Sequence, residues 1–384
     1  MDRPLLWLSV THPGRRHAGN QVYSGGLLDA LGAIGQRITL LTQDDGPPIA
    51  GVRVEAVLPP RFRPRVAGLG SRWPASVWQL AHRRMHTRLR TLLATEDWRA
   101  VVVDQAASGW ALGEFQRSAL PLVYVAHNQE GIVRAQVASG ERSPRKRAVM
   151  RYDAAKYGRL ERELVARAHL VTAITAVDAA AFARQTGDGR VLELTPGYNG
   201  ARIASRSLTT ATPRRAVLVG RFEWAAKQQN LRRWAEEAVP VLAASGIETE
   251  VIGTVPPALR RQTARPSLRI AGPAADLAPH LANARIGLVA EDVGGGFKLK
   301  TLDYIFHRLP VAALSENLAG QPVGVIENAL VAETPAALAG AIAAAIDDLE
   351  RLNRMQQNAF VAASAAFDWN ERAHRFLGAL DRLN

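Results

Sequence analysis

Short apolar runs recur along the whole chain, and helix-length patterns separate most of them. In the first half they read "PLLWLSV" (4–10), "RITLLT" (37–42), "VRVEAVL" (52–58), "AVVVDQ" (100–105), "PLVYVAHN" (121–128), "LVTAIT" (170–175) and "VLELTP" (191–196). Helical periodicity fills 23–34, 74–94, 143–168 and 176–185. No Asn-Gly or Asp-Gly pair closes a tight hairpin between adjacent runs, so the strands must return by crossovers and pair in parallel. Such strands are covered by helices on both faces, which is why they are apolar throughout.

The pattern breaks at "TPGYNGARIASRSLTTATPRR" (195–215), rich in Pro, Gly, Ser and Thr, which reads as a linker. It then restarts with "RAVLVGRF" (215–222), "IETEVIG" (247–253), "LRIAG" (268–272), "IGLVAE" (286–291), "LPVAAL" (309–314) and "ALVAE" (329–333), with helices at 229–245, 276–283 and 298–307. A chain of 384 residues exceeds one ordinary core and suits two. The expectation is an α/β protein of two doubly wound domains, 1–198 and 206–366. A last helix at about 368–384 packs back on the first domain. Ligands of such sheets sit beyond the carboxyl ends of the strands, so the loops there are where chemistry is sought.

Composition narrows the classes. There is no cysteine, which excludes disulfides and thiolate metal sites. The nine histidines show no metal-ligand spacing and no Asp-x-Asp occurs, so no metal and no cofactor is expected. The first apolar run is too short for a signal peptide, and no run of about 18 apolar residues occurs. A cytoplasmic protein without transmembrane helices is expected.

The formal charge is +13, carried by 43 arginines and five lysines. A GC-rich coding sequence alone favours arginine, so local distribution is the better guide. Residues 56–95 hold eight arginines, Trp73 and Trp78 but no Asp or Glu, which fits an anionic surface. Within them, Val77, Ala81, Met85, Leu89 and Leu92 share one helical face, with Arg83, Arg84 and Arg90 mostly elsewhere. That pattern reads as a half-buried helix or an interfacial one, in peripheral contact with the inner face of a membrane.

Two of the five lysines stand two residues apart in "GGGFKLKTLDYIFHRLPV" (294–311), between a strand pattern and a helix pattern. Glycine backbones allow close approach and the opening N–H groups of a helix lack internal partners, a setting for phosphate. A third lysine lies in "VLVGRFEWAAKQQN" (217–230), where Arg221 ends the domain's first strand and Lys227 follows just before a helix. Arg221, Lys227 and the glycine loop can converge on one anionic ligand, with Lys227, Lys298 and Lys300 as mobile point charges.

These motifs make the second half similar to the nucleotide-binding domain of GT-B glycosyltransferases, most of all the retaining family 4 type. The first half resembles that family through "GGLLDALGAIGQRITLLT" (25–42), "VYVAHNQE" (123–130) and "LERELVARAHLVTAIT" (160–175). The resemblance implies two Rossmann-like domains facing each other across a cleft, with donor binding in the C-terminal one and acceptor binding in the N-terminal one. It implies a glycosyltransferase moving a sugar from a nucleotide-diphosphate donor to an acceptor hydroxyl with retention, in cell-envelope polysaccharide or glycolipid synthesis. Arg221 and Lys227 would grip the diphosphate, Gly294, Gly295, Gly296, Phe297 and Lys298 would complete the donor site, and His127 would line the reacting centre. The acceptor would be a lipid-linked or small-molecule glycan, and an anionic membrane surface would be a further partner.

One departure stands out. The family commonly carries two glutamates with seven residues between them; here Asp303 holds the second position, fit for ribose hydroxyls, and Gly295 the first. Glu291 or Asp292 could stand in for the missing sugar-contacting carboxylate. "THPGRRHAGN" (11–20) forms a turn or brings Gly19 and Asn20 to the leaving phosphate. Asp104 reads as a loop-orienting or capping carboxylate. His127 reads as a hydrogen-bonded structural histidine or, with the family match, as a site residue. A sugar-nucleotide epimerase on the same fold is the nearest alternative. A basic nucleic-acid-binding protein is disfavoured: no stacking or DNA-reading motif accompanies the charge, so no nucleic acid is expected as partner.

Overall fold

A computed structural model describes residues 3–60, 65–115 and 119–383. The chain forms two compact units, one of Met1–Gly197 with Asp368–Asn384, the other of Tyr198–Phe367.

The first unit is built on a seven-stranded sheet: β1 Leu5–Leu8, β2 Ile38–Thr42, β3 Val52–Ala56, β4 Ala100–Asp104, β5 Leu122–Ala126, β6 Leu170–Ala173 and β7 Val191–Glu193. Its order is β3-β2-β1-β4-β5-β6-β7, parallel throughout. The second unit repeats the plan with β8 Arg215–Val219, β9 Glu248–Ile252, β10 Leu268–Gly272, β11 Ile286–Val289, β12 Val311–Leu314 and β13 Ala329–Ala332, ordered β10-β9-β8-β11-β12-β13. All thirteen apolar runs are strands. β1, β4, β5 and β11 are buried along their whole length, as two-sided covering requires.

Each sheet reverses its order once, between β1 and β4 and between β8 and β11. Adjacent loops there diverge to opposite faces and leave a crevice at the carboxyl edge. Ser9, Asp104 and Gln105 stand at the first such point, and Gly220, Arg221 and Glu291 at the second.

The helices depart from the sequence pattern where the backbone has reasons. The stretch expected as one helix over 74–94 is two, Ala75–Leu80 and Arg83–Thr95. His82 between them is extended, and its Nδ1 accepts from the Met85 N–H as the second helix's cap. Met85, Leu89 and Leu92 still face the core. The pattern at 229–245 starts earlier, at Ala225, and widens into a π turn at Trp234–Ala238 just before Pro240, which has no N–H for the ladder.

The final helix, Trp369–Asp381, packs into the first unit. Trp369 meets Tyr23 with ring centroids 5.6 Å apart, and Phe376 meets Trp7 at 6.1 Å. A Cβ on Gly26 or Gly197 would fall 2.3 or 2.4 Å from the Trp369 ring, so both positions exclude a side chain. Arg372 donates to the Thr195 carbonyl (2.9 Å) and Arg375 to that of Glu193 (2.8 Å).

Candidate active site

In the second unit the carboxyl edge gathers charge around one buried acid. Glu291, directly after "IGLVA", is 4% exposed. Lys227 is ion-paired to it, Lys300 approaches to 2.6 Å and Lys298 to 3.6 Å. Three ammonium groups against one carboxylate leave two positive charges in the cluster. Burial pushes the Glu291 carboxyl up, but Lys227, Lys300 and Lys298 outweigh it and hold the pKa well below the usual range. Lys300 is driven the other way: burial first, then its two lysine neighbours, bring it down to about 8 against the pull of Glu291.

The backbone here is clamped by two asparagines. Asn230 donates to the Val293 carbonyl (2.8 Å) and accepts from its N–H (3.0 Å). Asn317 does the same for Glu291, at 2.9 and 2.8 Å. Gly294 has φ +123°, a conformation that leaves its carbonyl, with that of Gly295, to receive Lys298 Nζ at 3.2 and 2.8 Å. Gly296 also has positive φ, and Phe297 packs edge-on against Phe367.

The helix after this loop, Lys300–Phe306, is shorter than the expected 298–307. The N–H groups of Thr301 and Leu302 already donate to the carbonyls of Lys298 and Leu299, so these two helix-start amides are taken. Lys227, expected just ahead of its helix, lies inside the first turn of Ala225–Arg233. Arg221 is half exposed and held by Glu223 at 2.8 Å. Of the two candidate stand-ins for the missing glutamate, Glu291 is the lysine hub and Asp292 is paired with Arg233 at 2.9 Å. Asp303 accepts from the Tyr198 hydroxyl at 3.1 Å; burial pushes its pKa up to about 6 despite that bond and the nearby His307.

In the first unit His127 follows β5 and its Nε2 lies 2.8 Å from Asp104 Oδ1. Asp104 is fully buried at the end of β4, and its Oδ2 accepts from Trp7 Nε1 and Ser9 Oγ, both at 3.2 Å. An ionised carboxylate only accepts, so the contact with Asp104 assigns a proton to His127 Nε2. Tyr23 packs edge-on against the ring at 5.1 Å, and Ser24 Oγ lies 3.4 Å from Nε2. Asp104 thus orients His127, a role that its position after a strand did not disclose. Gly19 opens the helix Gly19–Ala33 and is exposed. Asn20 directs its amide to Gln105 Oε1 at 3.4 Å.

The acid-free stretch is not acid-free in space. Arg88 is paired with Glu55 at 2.7 Å and Arg90 with Glu114 at 2.8 Å, both from outside it. Arg72 covers the Trp73 ring. Arg83 and Arg84 are exposed and line, with Val57, Pro60, Thr87 and Thr91, an open cavity of about 670 Å³. Arg61 and Arg63 lie outside the described residues, as does the side chain of Arg65. Among the described residues no acid–histidine cluster fit for a metal occurs, and no helix is long and apolar enough to cross a membrane.

Two parallel, doubly wound sheets in succession, each reversing its strand order once, match the GT-B fold of glycosyltransferases. Residues 213–348 match the family described as Glycosyl transferases group 1. HepE of Anabaena, solved with UDP and glucose, superposes with a TM-score of 0.69 at 16% identity, covering 99% of this chain and 100% of its own. WaaG, a glycosyltransferase involved in lipopolysaccharide biosynthesis, gives 0.68 at 16% identity and 99% coverage of both chains. An E. coli structure described as trehalose-6-phosphate, bound with UDP-2-fluoro glucose, gives 0.64 at 14%, again covering 99% of each. No curated protein matches by sequence.

Proposed function

We infer that the protein transfers a sugar from a nucleoside-diphosphate donor to an acceptor hydroxyl, with retention at the anomeric carbon. The observation that carries this reading is the convergence of Lys227, Lys298 and Lys300 on Glu291 beside the glycine loop. A diphosphate brings the negative charge that this cluster lacks. As the bond to the sugar breaks, negative charge grows on the leaving oxygen, and Lys227, Lys298 and Arg221, once released from Glu223, stabilise it without a metal. Asp303, steadied by Tyr198, accepts the ribose hydroxyls. The leaving diphosphate oxygen assists the acceptor hydroxyl, and His127, held by Asp104, lines the reacting centre. The glycine loop carries Gly294 to Phe297 along the donor sugar.

The first unit supplies the acceptor site, for a lipid-linked or small-molecule glycan of the cell envelope. Its arginine-rich edge supports a peripheral place on the inner membrane face. The likeness to structures that hold UDP and its sugars makes UDP donors the first to test. Thermal shifts with UDP-, GDP-, ADP- and dTDP-sugars name the base, since ligand at ~100 times its Kd stabilises by about 2.7 kcal/mol. Arg221→Ala and Lys227→Ala should each reduce kcat/KM about tenfold to hundredfold, the worth of a charged hydrogen bond. Near-normal turnover in both removes the diphosphate assignment.

A further inference from the structure

Gln105 follows Asp104 at the carboxyl end of β4 with φ +67° and ψ 151°. That region is open to glycine and strained for any residue with a Cβ. Both backbone groups are committed there: the N–H donates to the Val125 carbonyl (3.0 Å), extending the β4–β5 ladder, and the carbonyl accepts from the Ser108 N–H (3.0 Å), starting the next turn. Glycine would make both bonds without strain. The glutamine side chain recovers little in return, since its amide makes one long bond, from Asn20 Nδ2 to its Oε1 at 3.4 Å. No described protein group takes Gln105 Nε2 or Asn20 Oδ1.

The surroundings say what chemistry would use them. Asn20 and Ser24 lie four residues apart on one helix, hence on one face, and they meet Gln105 and His127 respectively. The two contacts form adjacent rungs, joined through Asp104, which precedes Gln105 and holds His127. The cations of the neighbouring loop are already engaged: Arg15 with Asp44 (3.5 Å) and the Asp45 carbonyl (2.7 Å), Arg16 with Asp29. Apart from the buried Asn128 Oδ1, what remains unfilled beside His127 is a pair of neutral amides offering both donors and acceptors, the complement of vicinal hydroxyls rather than of phosphate.

We propose that Gln105 and Asn20 form the clasp for the hydroxyls of a neutral sugar acceptor, and that the strain at Gln105 is kept because it aims the amide at that acceptor. The clasp rests on the glycosyltransferase reading and adds the acceptor's chemical class to it. Binding places one acceptor hydroxyl beside His127 while its neighbours are held by the two amides.

The test uses the full chain and two variants, Gln105→Gly and Gln105→Ala. Both remove the amide, but only glycine relieves the strain, so the unfolding midpoint rises for Gln105→Gly and not for Gln105→Ala. Saturation-transfer NMR measures binding of methyl glucoside, mannoside and galactoside. At least one binds wild type in the millimolar range, and both variants weaken it about tenfold. Calorimetry with UDP reports the donor site and stays at the wild-type value in both variants. A wild type that ignores all three glycosides, an unchanged glycoside Kd in the variants, or no gain in midpoint for Gln105→Gly each overturns the clasp. Failure of wild type to bind any of UDP, GDP, ADP or dTDP would overturn the donor reading instead, and leaves the glycoside result readable.

Discussion

Glu291→Gln is the sharpest perturbation of the lysine cluster, because it removes one charge, keeps the shape and leaves three lysines facing one another. Removing one partner of a buried ion pair costs about 3–5 kcal/mol, and the partial exposure of Lys227 argues for the lower end, about 3 kcal/mol at pH 7. Part of this is traceable to Lys300, already down to about 8 with Glu291 in place. Without the carboxylate its upward pull is lost and the pKa falls further, so Lys300 gives up its proton at a lower pH than in wild type. One pH unit of difference is about 1.4 kcal/mol. The sign follows from a depressed lysine: the unfolded chain binds more protons, so the penalty is full below the folded pKa and fades as pH rises towards the unfolded value. Above pH 8 Lys300 is neutral in both proteins, and that part of the difference disappears.

The second unit, Tyr198–Phe367, has an unfolding entropy of about 0.36 kcal/mol/K at the usual ~2.1 cal/mol/K per residue. The midpoint of its transition should therefore fall by about 8 °C at pH 7 and by less at pH 9, read by calorimetry. UDP should recover part of the loss by supplying the missing negative charge. Equal midpoints for variant and wild type, or a difference that ignores pH, would refute the claim that Glu291 holds the lysines together.

Three further expectations follow the same logic. Burial brings the Asp303 carboxyl up to about 6, so nucleotide affinity should increase as pH rises from 5 to 7 and the group ionises; Asp303→Asn should bind weakly and without that trend in calorimetry. His127→Ala should keep nucleotide binding and lose transfer, and Asp104→Asn should lower kcat more than it raises KM; equal loss of binding and transfer would make the histidine structural. The protein should sediment with phosphatidylglycerol vesicles at low salt and release at high salt, and Arg83→Gln with Arg84→Gln should weaken this, at about 1 kcal/mol per arginine near the surface; retention in the supernatant would point to a soluble acceptor.

Most of the architecture was legible because two-sided burial writes itself as unbroken apolar runs, and each of the thirteen became a strand. The break at Ala81–His82 was not, since Val77, Met85, Leu89 and Leu92 keep helical spacing across it and only the cap at His82 interrupts the ladder. The lysines, against a background of arginine, were a usable signal for the charged cluster that gathers on Glu291. Glu291 as their hub was hidden, because whether a carboxylate after a strand is buried depends on what folds over it. The partners of Asp104 come from β1 and the end of β5, far away in sequence, and nothing local marks a glutamine that will be held at positive φ.

The return of Trp369–Asp381 to the first unit bears on how the protein is made. The second unit is one continuous segment and can complete its fold as soon as Phe367 has left the ribosome. The first unit, although synthesised first, lacks until then the helix whose Trp369 and Phe376 cover Tyr23 and Trp7. Its apolar surface must wait through the synthesis of 170 intervening residues, some ten to thirty seconds at about 5–20 residues per second. The N-terminal sheet is therefore the last part of the molecule to become secure and, during synthesis, the part most in need of a chaperone.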